Sequence, residues 1–156
     1  MEGGYRPWAT WPPSDPRGGW ADMILAPYQK ADGIWTCPSV VGSPLYHDVR
    51  VEQKSGDHAA RYWVWRFDSI ADPVPLDNLW GKSPDQGVSD LQAAGNAQVG
   101  YPQGVSDVEL VVDPYFPKTI PTVPPELKGV AVHPGGRNRL FLDVHARWSP
   151  DPRLKN

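Results

Sequence analysis

The stretch HPGGRNRLFLDVHARW, from His133 to Trp148, carries the clearest fold signal in the chain. Pro134 fixes its own φ, and Gly135 and Gly136 accept positive φ, so the backbone is expected to bend just after His133. Beyond the bend, Leu140, Leu142, Val144 and Ala146 alternate with Arg139, Phe141, Asp143, His145 and Arg147. That period of two predicts a strand with the first set turned inward and Phe141 the apolar exception on the outer face. Val130, Ala131 and Val132 precede the bend and supply a partner strand, which makes a hairpin across Pro-Gly-Gly the shortest connection.

Working outward, the segment YHDVRVEQKSGDHAARYWVWRF, residues 46–67, alternates on both sides of Ser55-Gly56-Asp57. It predicts a second hairpin of Asp48–Gln53 with Arg61–Phe67, placing Tyr62, Val64 and Arg66 on one face and Trp63, Trp65 and Phe67 on the other. Asp107–Val112 reads as a further strand. Asp22–Tyr28 predicts a short helix stopped by Pro27. Between residues 68 and 104, Pro73, Pro75, Gly81, Pro84, Gly87 and Gly95 interrupt any period. This predicts a long ordered loop with a single helical turn at Leu91–Ala94, and loops of that length tend to carry contacts. Pro114–Pro125 predicts an extended connector lying across the surface.

With 19 prolines and 15 glycines in 156 residues, long helices are disfavoured. The fold class expected is α+β, an antiparallel β-sheet with little helix and long Pro/Gly-rich loops. The length suits one domain, residues 19–156, behind an extended aromatic arm of residues 1–18. The net charge of −3, with acidic and basic residues interspersed, provides no basic stripe, so nucleic acid is not an expected partner. No apolar window approaches the length of a membrane span. Cys37 is the single cysteine, which excludes an internal disulfide and any multi-cysteine metal site, and its expected role is that of a small buried hydrophobe.

The segment 133–148 resembles the chain end of bacterial type IV pilin-like and type II secretion pseudopilin-like proteins, whose hallmark is a histidine, nine residues, then Asp-Gly. His133 and Asp143 have that spacing, and Asn138, His145 and Trp148 fall where the family pattern has them. GWADMILAPYQKADGIWTCPS, residues 19–39, is similar to the family's short helix, Pro-Tyr pair and Trp-x-Cys-Pro-Ser stretch. SDVELVVDPYF, residues 106–116, is similar to its penultimate strand and aspartate. The resemblance implies a pilin-like globular head, a structural subunit rather than an enzyme, on the bacterial cell surface or outside the cell. Its partners would be copies of itself in a filament. The family's apolar N-terminal helix has no counterpart in these residues, which leaves open a chain trimmed to its soluble head, a processed mature chain, or a split system in which a separate small helical pilin chain supplies the helix. His133, Asn138, Asp143 and His145 would be structural. The family's Asp-Gly is Asp143-Val144 here, and a β-branched residue does not suit the second position of a type I′ turn. This predicts either one continuous bent strand from Leu140 to Trp148 or a bulge at Asp143.

Other chemistries compete with this reading. His133, Asp143 and His145 are residue types that bind zinc or move protons in a metal-dependent hydrolase. An extended strand, however, separates His133 from Asp143 by roughly 20 Å. Some pseudopilins of the group hold calcium, and Asp72, Asp77 and Asp85 offer hard oxygen donors for it without a recognised loop spacing. The expectation is therefore no cofactor, with calcium the exception to examine. The tryptophans could instead stack on sugars, as in a secreted carbohydrate-binding module. Tyr5, Trp8, Trp11 and Trp80 lie in irregular polar segments and are the expected subunit contacts, since aromatic residues are enriched at interfaces.

Overall fold

The computed structural model describes residues 17–67, 76–95, 100–121 and 123–155. Two helices, α1 (Arg17–Leu25) and α2 (Pro84–Ala94), accompany six strands: β1 (Gln53–Ser55), β2 (His58–Ala60), β3 (Trp63–Val64), β4 (Glu109–Val112), β5 (Gly136–Phe141) and β6 (Ala146–Pro150). β1 and β2 form a two-stranded antiparallel ribbon, and the rest form a four-stranded antiparallel sheet in the order β3-β4-β5-β6. The α+β class is thus observed. No helix among the described residues is long and apolar enough to cross a membrane.

The C-terminal hairpin is real but lies one step further along the chain than the sequence suggested. β5 pairs with β6, with Leu140 opposite Ala146 and Asn138 opposite Trp148. Val130–Val132 instead runs beside residues 114–116, through hydrogen bonds from the Phe116 N–H to the Val130 carbonyl (2.8 Å) and from the Val132 N–H to the Pro114 carbonyl (3.2 Å). Neither a continuous strand nor a bulge at Asp143 forms. The Val144 N–H donates to the Phe141 carbonyl (2.9 Å), the Phe141 N–H donates to the His145 carbonyl (3.0 Å), and Val144 has φ of 62°. These are the marks of a three-residue hairpin turn closed by a left-handed residue.

The inward face is also the reverse of the expected one. Arg137, Arg139 and Phe141 are buried, whereas Val144 and Ala146 are exposed. Buried arginines are tolerated because carboxylates meet them. Glu109 on β4, fully buried, bonds Arg139 Nε at 2.5 Å and accepts from Trp65 Nε1 at 2.9 Å. Arg137 bonds Asp151 at 2.5 Å and lies over the Tyr115 ring at 4.1 Å. Burial raises the Glu109 carboxyl above its ordinary range despite the surrounding arginines.

Trp63, Trp65, Tyr115, Phe116 and Val112 form the main core, with the Trp63 ring 5.6 Å from both Tyr115 and Phe116. Residues 114–117 are buried, so the start of the proline-rich connector inserts into the core and does not cross the surface. The second hairpin is shorter than expected: Gln53 pairs with Ala60 around Gly56-Asp57, and Trp63–Val64 leaves to join β4. α1 packs on this ribbon, where Asp22 meets His58 Nδ1 at 3.2 Å. The interrupted region contains not one helical turn but the 11-residue α2, whose Val88 and Leu91 pack with Val108. Ser83 caps it by accepting from the Gln86 N–H, Pro84 occupies the first turn, and Gly95 closes it at φ of 57°.

Candidate functional site

Three residues distant in the chain converge beside the sheet: Cys37, Asp113 and His133. Each is followed by proline, which disfavours helical backbone at the preceding residue and biases it to extended conformation. Cys37 is extended (φ −63°, ψ 127°) at the entry to a 3₁₀ turn, Pro38–Val40. Asp113 leaves the end of β4, with its N–H bonded to the Asn138 carbonyl at 3.2 Å. His133 stands before the Pro-Gly-Gly bend, which the strap of residues 151–155 fastens: the Asp151 N–H donates to Gly135 and the Gly135 N–H to Lys155, both at 2.8 Å.

Cys37 Sγ lies 3.4 Å from His133 Nε2, and Asp113 Oδ2 lies 3.3 Å from the same nitrogen. One N–H or S–H bond can serve either contact. The arrangement is not a nucleophilic relay, in which the acid would hold the ring nitrogen opposite the one facing the nucleophile. It is a convergence of three donor atoms, all within 4.8 Å of one another. Cys37 and Asp113 are buried and the His133 side chain is 25% exposed, so access is from the histidine side.

A supporting layer orients these groups. Asp113 Oδ2 accepts from the Asn138 backbone N–H at 2.9 Å and from Asn138 Nδ2 at 3.0 Å. The Trp148 indole meets the His133 ring edge-on, with centroids 6.2 Å apart. Gly136 is what lets the indole in, since a Cβ there would stand 2.5 Å from the Trp148 ring and 2.7 Å from the Ser149 carbonyl. Burial, then the neighbouring Cys37 and Asp113, push the Tyr62 phenol up to about 12. Next to Asp113 and Tyr62, a cavity of about 270 Å³ is bordered by Ile34, Val111, Leu140 and Ala146.

Of the residues singled out from the sequence, His133 and Asn138 belong to this site, one as a member and one as its support. Asp143 and His145 do not: they pair with each other at the β5–β6 turn, Nδ1 to Oδ1 at 2.5 Å, and His145 stacks on Phe141 at 4.5 Å. Asp77 is buried against Arg66 Nε at 3.1 Å, and Asp85 sits exposed in the first turn of α2. Asp72, Tyr5, Trp8 and Trp11 lie outside the described residues. Trp80 is 37% exposed and rests on Phe67 at 5.2 Å. Trp148 is 45% exposed. The sequence reading took Cys37 for a small buried hydrophobe and Asp113 for the aspartate of the pilin-like segment 106–116, and did not join them to His133; their shared Xaa-Pro context was the available signal. Comparison with protein-family models, curated proteins and solved structures returns no match.

Proposed function

We propose that the chain is a structural subunit of an extracellular pilus-like or pseudopilus filament, assembling through repeated contacts between the globular heads of successive copies. The observation that carries this reading is the turn at Val144. The pilin-like pattern has glycine at this position, and here the backbone adopts the left-handed conformation that glycine favours, with valine in its place. A left-handed residue at that position, here closing a three-residue loop, suits a family hairpin whose tip has been substituted.

Two surface features suit assembly. Ile34 and Ala146 are exposed beside Val111 and Leu140, leaving an apolar strip on the outer sheet face. Trp80 adds an aromatic contact on a different part of the molecule. Contacts between unlike patches on successive copies do not close and therefore propagate. Surface material sheared from cells that make the chain tests the reading. A filament subunit sediments at high speed in polymeric form, while recovery only as a soluble monomer would count against it.

A further inference from the structure

We infer that Cys37, Asp113 and His133 bind one zinc ion. Two of the three separations match a tetrahedral centre, and the third, sulfur to carboxylate, is within 4.8 Å. With bonds of about 2.3 Å to sulfur and about 2.0–2.1 Å to imidazole nitrogen and carboxylate oxygen, sulfur and nitrogen stand about 3.5 Å apart and nitrogen and oxygen about 3.3 Å apart. The corresponding separations here are 3.4 and 3.3 Å. Hydrogen bonding alone accounts for this less well, because His133 Nε2 faces both sulfur and carboxylate and carries at most one hydrogen. A cation between the three atoms satisfies every contact at once.

The donor set selects the ion. A thiolate with an imidazole and one carboxylate suits a borderline-soft metal, whereas calcium requires six or more oxygens. Among the described residues this is the one group of three or more His, Cys, Asp and Glu side chains close enough to hold an ion. Part of an outer layer is in place: Asn138 fixes the Asp113 carboxylate by two hydrogen bonds, and Trp148 lies edge-on against the His133 ring. Cys37 would bind as the thiolate, its proton passing to solvent. The ion would tie the Cys-Pro-Ser segment to β4 and to the base of the last hairpin, a structural role that does not depend on filament formation.

The test uses the full chain, stripped with a chelator and titrated with Co²⁺ and then Zn²⁺. The expected result is one Co²⁺ per chain, with a thiolate-to-metal band in the near ultraviolet and strong visible bands of four-coordinate cobalt. Zn²⁺ should displace both, and millimolar Ca²⁺ should displace neither. The melting temperature should rise with Zn²⁺ concentration. Asp143→Asn should bind as the parent does, and Cys37→Ser should lose the near-ultraviolet band. The parent spectrum alone decides the matter even where a variant fails to fold: absence of the thiolate band, or of saturable Co²⁺ binding, overturns the proposal.

Discussion

Val144 holds φ at 62° while 80% exposed, so its strain is not repaid by packing. A left-handed conformation costs a residue with a Cβ about 1–2 kcal/mol, and glycine gives back roughly 0.5–1 kcal/mol of that in chain entropy. Val144→Gly is therefore expected to stabilise the fold by about 0.5–1 kcal/mol, read as a higher urea midpoint at unchanged slope; an equal or lower midpoint would show that the turn is not strained. Glu109 sits at the opposite extreme, fully buried with Arg139, and also engages Trp65. Glu109→Gln leaves Arg139 without its counter-charge and should cost about 3–5 kcal/mol, measurable in the same denaturation experiment. These residues mark the limit of pattern reading. Alternation assigned Arg139 to solvent because charge usually is there, and only the fold brings Glu109 against it and Asp151 against Arg137.

At the scale of elements, α2 was legible in the sequence and yet went unrecognised. Ser83 and Gln86 stand three apart as in a capping box, Pro84 opens the first turn and Gly95 closes the last, but glycines and prolines counted one by one gave a loop. The β1–β2 hairpin was recognised by its turn and misplaced in extent, since Trp63–Val64 gains more by joining β4 in the core than by lengthening that ribbon, whereas the C-terminal hairpin was expected at Pro-Gly-Gly and turns instead at residues 142–144. The closing strap carries a pH dependence. Burial pushes the Asp151 carboxyl up, but hydrogen bonds from Arg153 and the charge of Arg137 outweigh it and leave it below the usual range. Its folded-state value lies below the unfolded one, so its contribution is complete above the unfolded value of about 3.9 and is lost as pH falls through the folded value. Stability should decline below about pH 4, and Asp151→Asn should flatten that part of the acid limb while lowering stability at neutral pH; parallel acid limbs for variant and parent would contradict this assignment.

For the molecule as a whole, an antiparallel sheet with few helices followed from the prolines, glycines and short alternating runs. The convergence of Cys37, Asp113 and His133 did not, because long-range proximity leaves no periodic trace in a single sequence. Trp80→Ser alters a surface contact outside the main core, so it should reduce filament yield in sheared fractions while the melting temperature stays within a few degrees of the parent. The filament reading itself is tested most directly by immunogold electron microscopy of cells that make the chain, using antibody against the folded head. The account predicts gold particles spaced along helical filaments extending from the cell surface; label confined to material without filaments, on cells where the chain is abundant, would contradict it.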